Sequence, residues 1–230
     1  NGSLDTTFDS DGVKIVDFGT TANDQAFAVA IQSDGKILVA GQNEKDASPW
    51  SDFALIRLNT NGSLDTDFDG DGKVTTDNPN GGGDHAYSMA IQSDGKIVLG
   101  GKADMNIPED NDFMLVRYTT SGALDTSFDS DGILTTSFGT NNDLINALAI
   151  DSSGNIVAAG LSAHATNGND FALARYTSTG ALDTTFDTDG KLTTAVTSGN
   201  RADVARGLVI DSSGRLVVAG STNNGTNDLF

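Results

Sequence analysis

The stretch Asp67-x-Asp69-x-Asp71-Gly72 has the clearest capacity for chemistry. Alternate carboxylates on a loop with a Gly bend can converge several oxygens on a hard cation such as Ca²⁺. The spacing matches the first half of an EF-hand loop, D-x-D-x-D-G. The twelfth position is Asn78 and not a bidentate Glu, so this is not an EF-hand. Equivalent turns carry Thr7, Ser127 and Thr185 in place of the first Asp. Asp also closes turns without any metal, by hydrogen bonds from the backbone to its side chain. Asp67, Asp69 and Asp71 are therefore metal candidates, with turn capping as the competing reading.

Other residues recur at fixed places. Arg57, Arg117 and Arg175 share one position, and Asp24, Asp84, Asp143 and Asp203 share another. Catalysis would need one unlike constellation, and repetition in every unit argues against it. A structural Arg–carboxylate pair in each unit is expected instead, since guanidinium forks suit partly buried carboxylates. His85 and His164 are the two His residues, and surface positions are expected for both. Trp50, the single Trp, sits in a variable connection and is the candidate binding anchor; folding onto its own loop is the equal alternative. The chain has no phosphate-cradling G-x-x-x-x-G-K-[ST] and no dinucleotide fingerprint.

These residues ride on a repeat. LDTDFDGDG, Leu64–Gly72, recurs as Leu4–Gly12, Leu124–Gly132 and Leu182–Gly190, with starts 60, 60 and 58 residues apart. A fixed period of that size signals a repeat architecture. After the first Asp-rich turn, Val13–Phe18 reads as a strand. Gln25–Gln32 alternates small Ala26, Ala28 and Ala30 with larger Phe27, Val29 and Ile31, so it reads as a strand buried on both faces. Ser33-Asp34-Gly35 is a hairpin turn. Lys36–Gln42 returns, Asn43–Ser51 is a loop, and Asp52–Asn59 is a further strand. One period thus holds four short strands and no helix.

Four antiparallel strands per unit, with the smallest side chains on one of them, is the pattern of a β-propeller blade. The small-residue strand belongs nearest the axis, and the Thr-rich strand (Thr75, Thr76; Thr135, Thr136; Thr193, Thr194) belongs outermost. The expectation is an all-β propeller or propeller-like array of about four repeats, beginning near 1, 61, 121 and 179, in a single repeat domain. A closed ring, an arc of a larger ring and an open solenoid all fit this phase. Starting and stopping inside a repeat suggests a piece of a longer chain.

Gly-(Ser/Ala)-Leu-Asp-Thr-x-Phe, the Asp-Gly-Lys-Ile-(Leu/Val) hairpin and Asp-Phe-(Ala/Met)-Leu-x-Arg-(Leu/Tyr) closely resemble the delta-60 repeat family. The likeness covers essentially the whole chain. It implies a propeller-like, non-catalytic module of large bacterial secreted or surface proteins, with no agreed ligand. The second Asp-rich turn also resembles the calcium loops of integrin-type propeller repeats. The chain departs from the usual delta-60 pattern in its extra acids after Phe: Asp9 and Asp11, Asp69 and Asp71, Asp129 and Asp131, Asp187 and Asp189.

Composition bounds the partners. The net charge is −19, and of 32 acidic residues all but Glu44 and Glu109 are Asp. Phosphate binding needs clustered Lys and Arg, so nucleic acid is a poor partner, and anionic membrane surfaces are too. The longest apolar run, Ala26–Ile31, is far short of a membrane span. Zero Cys removes disulfides, zinc–thiolate sites and thiol catalysis. The expected function is an extracellular or cell-surface module with a structural, adhesive or ligand-binding role. It needs no cofactor, with calcium as the one considered. Its partners are protein or carbohydrate surfaces, and neighbouring repeats or further copies. The alternative is a propeller enzyme, a hydrolase or lactonase with metal at the axis.

Overall fold

The computed structural model describes residues 2–19, 23–45, 50–107, 110–164, 168–196, 201–222 and 228–229, and none of these is helical. The chain is all-β, a propeller-like array of four-stranded antiparallel blades. The first blade is β1 (Asp24–Ile31), β2 (Ile37–Glu44), β3 (Ser51–Leu58) and β4 (Lys73–Thr76). The second is β5 (His85–Ile91), β6 (Ile97–Ile107), β7 (Asp110–Tyr118) and β8 (Ile133–Thr136). The third is β9 (Asp143–Ile150), β10 (Ile156–His164), β11 (Gly168–Tyr176) and β12 (Lys191–Thr194). The fourth has β13 (Arg201–Ile210), β14 (Leu216–Thr222) and β15 (Asp228–Leu229). Strand order follows chain order in each blade. A short parallel pairing, Gly168 with Arg201 and Asn169 with Ala202, joins the fourth blade to the third.

Local chemistry sets these elements. At the hairpin turn Gly35 takes φ 86°, Gly35 N–H donates to Gln32 O, and Lys36 N–H donates to Asp34 Oδ1 at 3.0 Å. The Asp-rich turn is closed the same way. Phe68 N–H donates to Asp65 O at 2.9 Å, Gly72 N–H to Phe68 O at 2.7 Å, and Lys73 N–H to Asp71 Oδ1 at 2.9 Å. Asp69 holds φ 49°, a left-handed conformation that Asp tolerates better than most residues.

The blades pack face on face. Leu38, Phe53, Leu55 and Phe68 of the first meet Ile97, Leu99, Met114 and Tyr118 of the second. Val98, Phe113 and Phe128 of the second meet Ile156, Ala172 and Tyr176 of the third. Phe171 and Leu173 of the third meet Ala205, Leu216 and Val218 of the fourth. The inner strands pack in succession, β1 on β5, β5 on β9 and β9 on β13. Among the described residues no comparable packing brings β13 back onto β1, so the blades form an open arc.

Two expectations need correction. Val13–Phe18 is not a strand, because among the described residues no third strand lies beside it to pair with. The strand around Ala28 is not buried on both faces. Val29 and Ile31 are 70% and 71% exposed, because among the described residues no blade packs on that side of the first. The variable connections are also shorter than expected, since β6 runs on to Ile107 and β7 starts at Asp110. Residues 46–49, 108–109, 165–167 and 223–227 of those connections lie outside the described residues, as do 20–22 of the first loop and Phe230.

Every inner strand carries a β-bulge. The register shifts between Ala26 and Ala28, Ala86 and Ser88, and Ala205 and Gly207 on the inner strand, and between Ala159 and Gly160 on the strand opposite β9. A Gly faces each bulge because the backbones touch there. A Cβ on Gly101 would lie 1.7 Å from His85 O, and one on Gly160 1.8 Å from Leu144 O. Gly101→Ala is therefore expected to lower stability by about 3 kcal/mol or more, by forcing β5 off β6. Urea unfolding measures this, and a cost under about 1 kcal/mol would show that the backbones can part cheaply.

Candidate functional site

The recurring Arg lies on the third strand of each of the first three blades, and its carboxylate partner stands eight residues later, at the head of the Asp-rich turn. Arg57 Nε lies 2.6 Å from Asp65 Oδ2, Arg117 Nε 2.8 Å from Asp125 Oδ2, and Arg175 Nε 2.7 Å from Asp183 Oδ2. Each guanidinium also covers the Phe of its turn, at 4.4 Å for Phe68, 4.7 Å for Phe128 and 5.1 Å for Phe186. Arg57 Nη1 then donates to Thr120 O at 2.6 Å, and Arg117 Nη1 donates to Ser178 O. Lys36 and Lys96 add a second cation, at 2.8 Å from Asp65 and 3.2 Å from Asp125. Burial pushes the Asp125 carboxyl up. Hydrogen bonds from Ser127, with Lys96 and Arg117, outweigh that and hold it at about 2.

Asp24, Asp84, Asp143 and Asp203 do other work. Each sits at or beside the start of an inner strand and accepts a backbone N–H from the segment that leads to it; in the second, third and fourth blades the donor stands two residues beyond the preceding outer strand. The donors are Phe18 at 3.2 Å, Asn78 at 2.8 Å, Phe138 at 2.7 Å and Val196 at 2.8 Å. Asp84 and Asp143 are fully buried. Burial pushes their carboxyls up to about 7 and about 6, against the N–H donors that favour the charged form. Asp77 adds repulsion at Asp84, and Asp112 and Asp110 add it at Asp143.

Asp67, Asp69 and Asp71 are not gathered into a cation site. Among the described residues no three His, Cys, Asp or Glu side chains converge as a metal-holding group. Asp71 Oδ1 instead accepts a turn N–H, as do Asp11, Asp131 and Asp189 in the other copies at 2.9 Å each. Trp50 is 43% exposed just before β3, and its carbonyl accepts Lys45 N–H at 3.1 Å across the β2–β3 connection. His164 lies 3.2 Å from Asp170.

His85 is not the plain surface residue expected. Its Nδ1 meets Tyr87 Oη at 2.9 Å, and its ring stacks on Phe27 at 6.5 Å and 18°. Phe27 also meets Tyr87, at 5.2 Å. Burial and then Lys102 hold the imidazole down at about 4, so it is neutral at physiological pH. Phe27 and Tyr87 occupy the bulge position of β1 and β5, and Asn146 and Arg206 are its equivalents in β9 and β13. Asn146 Nδ2 donates to Ala205 O at 2.8 Å, and Arg206 Nε to Ser221 Oγ at 3.2 Å. The rim where the inner strands meet thus carries Phe, Tyr, Asn and Arg in succession. Sequence reasoning saw repeated small residues there and missed the variable one. The Gly opposite each bulge was the available signal.

Comparison with known proteins agrees with this architecture. Residues 32–68, 92–128 and 152–186 match the family model described as "Domain of unknown function (DUF5122) beta-propeller". Each match runs from a hairpin turn, through the second and third strands, to the Phe of the following Asp-rich turn. No curated protein matches the chain. Among solved structures, a protein of unknown function from Dyadobacter fermentans aligns at TM-score 0.46 and 13% identity, covering 84% of this chain and 55% of its own. A second, provisionally assigned as a gluconolactonase, aligns at TM-score 0.38 and 11% identity, covering 87% and 56%. The chain thus spans little more than half the length of either. The matched stretches repeat with the blades, and the chain is a propeller-like repeat protein.

Proposed function

We propose that the chain is a non-catalytic module acting outside the cell, in a structural, adhesive or ligand-binding role, with the inner rim as its contact surface. The observation that carries this is a division of labour. The recurring Arg of the first three blades is tied each time to the Asp heading its turn, and the recurring Asp of all four is tied each time to the N–H of the segment before its strand. The bulge residue at the rim changes from blade to blade. Repetition suits a scaffold, and variation on a rigid scaffold suits recognition. Phe27 is 42% exposed and edged by Tyr87, and the exposed Arg206 lies three blades along from Phe27. Aromatic faces with nearby donors suit a carbohydrate or protein surface, and the −19 charge disfavours nucleic acid.

The test is titration against a panel of neutral and basic oligosaccharides, read by amide chemical shifts. Shifts should centre on β1 and β5, and Phe27→Ala should weaken binding at least tenfold. Steady hydrolysis of a lactone or aryl ester, with or without added divalent metal, would overturn the non-catalytic reading. This reading requires no cofactor. EDTA should leave the melting temperature unchanged, and Asp69→Asn should respond to Ca²⁺ as an Asp34→Asn control does, by relief of self-repulsion alone. A calcium shift lost only in Asp69→Asn would place a cation in that turn.

A further inference from the structure

The first three blades each carry an Asp early in the third strand: Asp52, Asp112 and Asp170. Two of them meet a basic side chain from the far end of the second strand. Lys45 Nζ lies 2.9 Å from Asp52 Oδ1 and 3.0 Å from Asp77 Oδ2, and His164 Nε2 lies 3.2 Å from Asp170 Oδ2. Strand register places both. Asp52 pairs with Asn43 and Asp170 with Ser162, and the basic residue stands two positions further on. Asp112 pairs with Ala103, which puts Met105 at that position in the second blade.

Acceptors gather around Asp112, at the junction of the two internal blades. The start of β7 lies against the segment that leads into β9. Asn111 Nδ2 donates to Asn142 Oδ1, and Phe138 N–H donates to Asp143 Oδ2 at 2.7 Å. Phe113 pairs with Thr136, which sets Ser137 beside Asp112, and Asp143 faces Ser162 across the β9–β10 ladder. Five buried oxygens in this patch have no hydrogen-bond partner: Oδ1 of Asp110, Asn111, Asp112 and Asp143, and Oγ of Ser162. Asp112, Asp143 and Ser162 are each more than nine-tenths buried. Burial pushes the Asp112 and Asp143 carboxyls up, and Asp110 repels both. Lys191 of β12 reaches this segment, but its ammonium donates to the Ser137 carbonyl at 3.0 Å. Buried charges are ordinarily paired or hold an ion, and buried acceptors without donors call for the same explanation.

We propose that Asp112 and Asp143, with the side-chain oxygens of Asn111 and Ser162, bind a monovalent cation of ammonium size, K⁺ or NH₄⁺. The ion does for the second blade what the Lys45 ammonium does for the first. A divalent ion such as Ca²⁺ draws on more carboxylates than these two, and among the described residues no third converges with them. One positive charge between acidic and neutral oxygens is also the first blade's arrangement, where a single ammonium serves Asp52 and Asp77. Neutral protein oxygens can replace the water around K⁺, whereas Na⁺ is smaller and holds its water more tightly. EDTA does not hold such ions, so the site is untouched by chelation. It goes beyond the rim-binding reading and does not depend on it.

Melting temperature at pH 8 in KCl, NH₄Cl, NaCl and choline chloride, each at an ionic strength of about 0.2 M, tests this. K⁺ and NH₄⁺ should raise it by about 3–6 °C over choline, as an ion at about ten times its dissociation constant would. Na⁺ should act as choline does. In the parent, amide shifts of Asn111, Phe138 and Asp143 should saturate with K⁺. Met105→Lys brings an ammonium to the patch, so it should melt higher than the parent in choline and lose the K⁺ shift. Asp112→Asn should lose that shift, and Asp52→Asn, the same change in the first blade, should keep it. Equal melting in all four salts overturns the proposal and leaves the carboxylates to a proton or water. So does a K⁺ shift that survives Asp112→Asn, or amide shifts that grow without saturating. Oligosaccharide titration reads β1 and β5, so failure of the rim reading would leave this result standing.

Discussion

Between pH 5 and pH 8 the melting temperature is expected to fall by about 5–15 °C. Asp84 and Asp143 are buried, and their carboxyls stand at about 7 and about 6 against an ordinary value of 3.8. Unfolded, both lose their protons near pH 4; folded, they keep them two to three units longer. In that window the folded chain binds more protons, so stability declines as pH rises. The penalty is absent below about pH 4, grows through pH 4–7 and is complete above about pH 7. At about 1.4 kcal/mol per unit it reaches a few kcal/mol for each group at most, and each kcal/mol moves the midpoint by about 2–4 °C in a chain of this size. Burial pushes Asp52 and Asp112 in the same direction. Asp125, held at about 2, acts oppositely: its stabilisation is present above pH 4 and lost as pH falls towards 2. The optimum therefore belongs near pH 4–5. Scanning calorimetry from pH 3 to 8 in 0.5 M NaCl, where general charge repulsion is screened, isolates the buried groups. Asp84→Asn with Asp143→Asn should flatten the alkaline limb. A melting temperature that rises from pH 5 to 8 would mean that the N–H donors, and not burial, govern these carboxyls.

The sequence shows the repeat because its punctuation is chemical. Asp-Gly turns, Asp-rich turns and the Arg one residue before the end of β3, β7 and β11 are local signals, and they recur at one period. The four-stranded unit and the outer place of the Thr-rich strand follow from them. Pairing across distance is less visible. An Arg–carboxylate pair in each unit was expected, but the partner of Arg57 is Asp65 and not one of the recurring Asp24, Asp84, Asp143 and Asp203, although the same eight-residue spacing recurs at Arg117 and Arg175. Asp84 drew attention by its recurrence, yet its role depends on where the chain returns from β4, which no local pattern states. The rim went unseen for a further reason. A bulge breaks the period-two alternation by one residue, so Phe27 looked like one more large side chain in a regular strand. Val13–Phe18 failed as a strand because strand formation needs a neighbour, and the pattern reports only the propensity of the segment itself.

Arg117→Met is expected to cost about 3–5 kcal/mol, and Arg175→Met about 1 kcal/mol or less. The two residues occupy one position in successive blades and differ in burial. The Arg117 side chain is 3% exposed, and its carboxylate partner Asp125 is 9% exposed. The guanidinium bonds Asp125, Ser127 and Ser178 and covers Phe128. The Arg175 side chain is 24% exposed, so water can replace part of what its removal takes away. Removing one partner of a buried pair leaves the other charge uncompensated, whereas an exposed pair contributes little. Met keeps the length and the apolar stem, so the loss reports charge and hydrogen bonds rather than a cavity. Lys in place of Arg117 should recover only part, because an ammonium cannot bridge Asp125 and Ser178 as the fork does. Adding Asp125→Leu to Arg117→Met should recover more than Lys does, because the stranded carboxylate is then gone. Chemical unfolding of these four variants, with Arg57→Met as a second buried case, gives the comparison. Equal costs at Arg117 and Arg175 would mean that burial does not set the strength of these ties. A double variant no better than Arg117→Met alone would mean that the junction to Ser178, and not the carboxylate, is what the arginine holds in place.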